Sequence, residues 1–160
     1  MSWCPRCGGI RVQIPIHRNT RTVSPCISSQ NLDLADFYIK AGLNDKAWGY
    51  LEYLKTKSMA PLEKIRFAQA RILKKEKKYL DAIENYMLGF LAKSKWNSTF
   101  QEEMFLNEIK SSANNLGWDN DKCEYLAYLV GNHVEKNCYD ELSLITSYRK
   151  FLKDIGAIQS

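Results

Sequence analysis

Residues 43–54 read LNDKAWGYLEYL, and residues 78–91 read KYLDAIENYMLGFL. Each stretch opens with an acidic residue in a short turn. Each then places a small residue, Ala47 or Ala82, and follows it with large residues four and about seven positions on. The two alanines stand 35 residues apart. Two helices and their turns occupy about that length, so a pattern recurring at this distance constrains the chain to stacked helical hairpins.

The rest of the chain after residue 30 fits this frame, and the predicted class is mainly α with six or seven antiparallel helices. A first helix is expected over 31–41, capped by Asn31 or Asp33 and stopped by Gly42. The second covers 44–57, with Ala47, Leu51 and Leu54 on its core stripe. The third covers 61–77, with Pro61 in its first turn and Ile65, Ala68 and Ile72 inward. The fourth, 79–95, carries Leu80, Ile83, Met87 and Phe90 on one face and Ala82 and Tyr86 on another. The fifth opens on a capping box, Ser98 with Gln101, and ends at Gly117. A sixth covers 119–135. A seventh, 139–155, has Leu142, Ile145, Leu152 and Ile155 as its stripe and Gly156 as its stop. Several helices are apolar on more than one face, as helices between two neighbours are.

In these residues the chain resembles the tetratricopeptide repeat family over about 33–130. LADFYIKAGLNDKAWGYLEYL (34–54) and IRFAQARILKKEKKYLDAIENYMLGFL (65–91) carry the small packing positions Ala47, Ala70 and Ala82 and the large Tyr86. EEMFLNEIKSSANNLGWDNDKCEYLAYL (102–129) is a stretched third unit, with Cys123 at the small position, 41 residues beyond Ala82. The early tryptophan and leucine-glycine pair of the family are missing. The resemblance implies a solenoid that binds a protein or peptide, with the seventh helix as a cap.

Residues 1–30 differ in kind. Four of the 23 basic residues, Arg6, Arg11, Arg18 and Arg21, lie in the first 32 positions, and none of the 18 acidic ones does. The arm thus carries +4 of the net +5, which suits an anionic partner such as nucleic acid. Residues 10–16, IRVQIPI, alternate as a strand does. HRNT then reads as a turn and RTVS as a return strand of a small hairpin.

CPRCG (4–8) resembles the first knuckle of a zinc ribbon, and Cys26 supplies a third thiolate. Four ligands close a structural zinc site. His17 is the nearest fourth; Cys123, His133 and Cys138 are the alternatives. The second knuckle is broken, since ISS follows Cys26. Zn²⁺ on Cys4, Cys7, Cys26 and His17 is the expectation. A ribbon without metal, a redox pair at Cys4 and Cys7, and a cleaved Arg-rich leader are the other readings. Five cysteines with no secretion signal fit a reducing, cytoplasmic setting.

No nucleophile, acid–base pair or phosphate loop is recognisable. His133 reads as a surface helix histidine, and Cys123 and Cys138 as core or half-buried thiols. Lys74–Lys78, KKEKK, is a solvated helix end or, with Arg71, an anion patch. Of Trp48, Tyr50 and Tyr53, some face away from the core, because consecutive helical positions cannot all point inward. These three are the expected partner surface. The expected function is that of a non-enzymatic adaptor binding a protein or peptide, with nucleic-acid binding through the Arg-rich module as the alternative and no membrane segment. Two domains are expected, 1–30 and 31–160.

Overall fold

The computed structural model describes the backbone of residues 2–3, 10–11, 27–96 and 102–159, and the side chains of 31–95 and 102–159. The class is mainly α. Among the described residues there are seven helices: α1 (Ile27–Lys40), α2 (Asn44–Thr56), α3 (Leu62–Lys75), α4 (Tyr79–Trp96), α5 (Glu102–Asn115), α6 (Asn120–Glu135) and α7 (Glu141–Asp154). Strands β1 (Ser2–Trp3) and β2 (Ile10–Arg11) pair antiparallel, with Ser2 opposite Arg11. Apart from Ile10 and Arg11, the expected strands at 10–16 and 21–24 lie outside the described residues. So do the zinc-ribbon-like core of the module and the Ser98–Gln101 capping box.

The helix ends follow local chemistry. At six of them the chain closes with the same paired bonds, an i→i−3 bond followed by an i→i−5 bond, as in Gly42 N to Ile39 O and Leu43 N to Tyr38 O. This closure needs a left-handed residue. Glycine fills that place at Gly42, Gly117 and Gly156 as expected, but Ser58, Lys77 and Asn137 also hold φ between 52° and 62°. Asp119 caps α6, its side chain accepting from Lys122 N. The start of α1 is corrected: the helix begins at Ile27, so Asn31 is an interior residue. Its side chain works across helices instead, donating to Met59 O and accepting from the Tyr50 hydroxyl.

Helix α4 is the middle of the molecule. It packs against α3, α5, α6 and α7. Ala82, Ile83, Tyr86, Met87, Leu88, Phe90, Leu91 and Ala92 are all buried, which explains why no single apolar stripe describes it. Gly89 makes this crowding feasible. A Cβ there would lie 2.5 Å from a Phe105 ring carbon and 3.3 Å from Glu63 O.

Two apolar clusters result. One joins α3 to α7; the other joins α1, α2 and the edge of α3 around Ile39, Leu51, Leu54, Ile65 and Ile72. Trp48 is half-buried and packs against both. Two expected stripes are corrected. In α3 the fully buried alanine is Ala70, while Ala68 is half-buried. In α7 the buried set is Leu144, Tyr148, Phe151 and Leu152, and Leu142 is 69% exposed. The reason is where α7 packs: it turns to face α4 and α6, with Tyr148 Oη donating to Leu80 O at 2.8 Å.

Candidate functional site: a groove across α1, α3 and α5

Helix α3 shows a second face beside its buried one. Lys64, Phe67, Ala68, Arg71, Lys74 and Lys75 recur at three- and four-residue steps and so share one side of the helix. This side faces a shallow open groove. Leu32, Asp33, Asp36 and Ile39 of α1 bound one part of it, about 340 Å³ in volume. Tyr79 and Tyr86 of α4 with Glu108 of α5 bound the next, about 610 Å³. Phe67, Arg71 and Met104 line both parts, so the two are continuous.

The floor is largely aromatic. Phe67 meets Tyr86 and Phe105 edge to face, each with ring centroids 5.4 Å apart. The rims are ionic. Arg71 Nη1 donates to Asp36 at 3.1 Å, and Lys40 donates to the other oxygen of that carboxylate at 2.9 Å. Lys74 Nζ bonds Glu108 at 2.8 Å and the Ser111 hydroxyl at 3.0 Å. Lys75 Nζ donates to Ile39 O near the end of α1 at 2.9 Å, a carbonyl that also accepts from Gly42 N.

Burial, and secondarily the Glu108 carboxylate, pushes the Tyr86 hydroxyl far above the ordinary phenol range. It therefore stays a donor, and it donates to Glu108 at 3.2 Å. The Lys40 hydrogen bond, with help from Arg71, holds Asp36 below the usual carboxylate range against a smaller opposing effect of burial. The site is thus a strip of apolar surface between fixed charges, open to solvent. A groove of this kind can hold an extended or helical segment.

The sequence-predicted surface lies elsewhere. On the other side of the first hairpin, Phe37, Tyr38, Tyr50 and Tyr53 form a row with successive ring centroids 6.1, 6.2 and 6.4 Å apart. Lys46 Nζ sits 4.9 Å from the Tyr38 centroid. Tyr53 is half exposed, and Tyr50 and Trp48 are half-buried. The row and the groove are separate features.

Cys4, Cys7, Cys26, His17 and the side chains of Arg6, Arg11, Arg18 and Arg21 lie outside the described residues. Of the alternative fourth ligands, Cys123 is buried and Cys138 half-buried, as expected for packing thiols. His133 is corrected from surface to buried. Its Nδ1 lies 3.0 Å from Leu129 O and its Nε2 lies 3.3 Å from Ser143 Oγ, so both ring nitrogens are engaged. Among the described residues, no group of three or more His, Cys, Asp or Glu could hold a metal ion, and no helix is long and apolar enough to cross a membrane. No family model, no curated protein and no solved structure matches the chain.

Proposed function

We propose that the protein is a non-enzymatic adaptor whose helical hairpins bind a protein or peptide segment along the α1–α3–α5 groove. The observation that carries this reading is the continuous groove in which Phe67, Ala68 and Met104 offer apolar surface between charges already fixed by Asp36, Glu108 and Ile39 O. Fixed side chains lose little further freedom when a partner arrives. The likeness to tetratricopeptide arrays supports the same reading.

The test is to pan a random peptide library against the full chain and repeat it with Ala68→Arg, which fills the groove floor. Helicity by circular dichroism should be unchanged in the variant. Selected peptides should lose binding to it. Peptides that bind both proteins equally would reject the groove as the site.

In this reading the N-terminal module carries structural Zn²⁺ on Cys4, Cys7 and Cys26, with His17 as the nearest fourth ligand. Elemental analysis of the purified protein tests it: one equivalent of zinc, lost in Cys7→Ser, is expected. Absence of zinc from protein purified without chelator rejects it. The charge of the arm favours a second reading, nucleic-acid contact through Arg6, Arg11, Arg18 and Arg21. Its mark is affinity that falls with salt at a log–log slope of about −0.9 per phosphate neutralised on duplex DNA.

A further inference from the structure

The KKEKK run and Arg71 acquire a meaning from the fold that neither has alone. Arg71, Lys74 and Lys75 converge on the part of the groove that also holds Tyr79 and Tyr86. Against these three cations the same lining offers one carboxylate, Glu108. Lys74 and Tyr86 both donate to its Oε2, so three cations face one carboxylate that is already partly engaged. The cations are anchored but not used up. A guanidinium has five N–H donors and an ammonium three. Arg71 uses Nη1 on Asp36, Lys74 bonds Glu108 and Ser111, and Lys75 bonds Ile39 O. Each keeps donors for a ligand. In the adjoining turn Lys77 and Lys78 are exposed together with Glu76, a further net +1 beside the three cations.

We propose that this end of the groove receives the carboxylate side chains of an acidic peptide segment, whose apolar residues lie on Phe67 and Met104. The proposal rests on the peptide-binding reading above and names the chemistry of the peptide. Charge complementarity selects the occupant. The other part of the same groove is charge-balanced, with Lys64 and Arg71 against Asp33 and Asp36, so the excess of positive charge that draws carboxylates lies at the Lys75 end. A nucleic-acid strand fits less well. Its phosphates recur along the whole strand, whereas the excess of cations is confined to one end of the groove, and a peptide can place its charges there alone.

The experiment uses the full chain and fluorescence anisotropy with three labelled peptides of equal length. The first alternates Asp and Glu with Leu and Phe. The second replaces each acid by Lys. The third keeps the acids and replaces each apolar residue by Ser. The first should bind, and the other two should be weaker by about tenfold or more. Lys75→Glu should weaken the first peptide about tenfold and Lys75→Met about threefold, with unchanged helicity. Binding of the first peptide should also fall with added salt.

Equal binding of the Lys peptide, blocked by Ala68→Arg, overturns the acidic chemistry and leaves the groove standing. So does silence of all three peptides while library-selected peptides remain blocked by Ala68→Arg. Equal binding of the Ser peptide, with displacement by single-stranded DNA, overturns it in favour of a general anion patch. Library-selected peptides indifferent to Ala68→Arg overturn the groove itself and the proposal with it.

Discussion

Arg66 on α3 and Glu141 at the first turn of α7 meet at 2.6 Å although 75 residues separate them in the chain. The pair is shielded unequally, with side-chain exposures of 16% and 35%. Asn85 accepts a second, longer bond from Arg66 at 3.4 Å. Losing Glu141 strands a mostly buried cation, whereas losing both charges does not. Glu141→Ala should therefore destabilise by about 2 kcal/mol, and Arg66→Met with Glu141→Gln by about 1 kcal/mol or less. Urea unfolding of the two variants checks the difference. Equal losses would mean that the pair, not the orphaned guanidinium, sets the cost.

The same substitution should have opposite signs at two helical glycines. Alanine is preferred to glycine inside a helix by about 1 kcal/mol. A Cβ at Gly49 meets nothing within 4 Å, so Gly49→Ala should stabilise by about 0.5–1 kcal/mol. At Gly89 the added carbon runs into Phe105 and the α3 backbone. Overpacking costs about 1–3 kcal/mol, so Gly89→Ala should destabilise on balance. Thermal melts of both variants decide it.

Lys77 holds φ +62° at the end of α3, where the i→i−5 bond from Lys78 N to Leu73 O closes the helix. A left-handed L-residue costs about 1–2 kcal/mol, and glycine gives back about 0.5–1 kcal/mol in chain entropy. Lys77→Gly should raise stability by about 0.5–1 kcal/mol. Gly117→Ala, at an equivalent stop, should lower it. A chemical-denaturation midpoint that does not rise in Lys77→Gly would contradict this account of the turn.

Acid should act on two carboxylates in opposite directions. Asp36 titrates below the ordinary range, chiefly through its bond to Lys40, so its contribution is present at neutral pH and is lost as pH falls through that depressed value. Glu84 titrates above it because burial outweighs the attraction of Arg149. The folded state therefore takes up the Glu84 proton first, and stability from this group rises as pH falls from neutral towards about 4. Urea midpoints against pH should be flatter below about pH 4 in Asp36→Asn, and should lose the mild-acid rise in Glu84→Gln. Parallel curves for wild type and both variants would remove the assignment.

The legible part of the fold was the part fixed by neighbours in sequence. Ala47, Leu51 and Leu54 point inward as their spacing required, and Gly42, Gly117 and Gly156 end helices because only glycine takes that backbone freely. Ser58, Lys77 and Asn137 do the same work although exposed, held by the paired closing bonds, and of the three only Asn137 is a residue type that favours that backbone. Which helix an apolar stripe would face was not legible. Leu142 matched the period of α7, yet it points to solvent because α7 docks on α4. His133 looked like a surface group because what covers it comes from elsewhere in the chain, with Ser143 of α7 engaging its Nε2.

The candidate site was legible only in pieces. Arg71 and KKEKK stood out by charge, and the aromatics of α2 by density. The groove itself arises where α1, α3 and α5 come side by side, and no local pattern carries that. A sign was present in α3, whose Lys64, Phe67, Ala68, Arg71 and Lys75 share a face distinct from that of Ile65 and Ile72.

The enclosure of α4 by four other helices has a bearing on how such a chain could be enlarged. A further hairpin inserted after α4 would have to displace α7 from Tyr148's hold on Leu80 O and break Arg66 from Glu141. One grafted ahead of α1 would disturb neither bond. Enlargement that keeps both bonds is therefore enlargement at an end of the helical array, not within it.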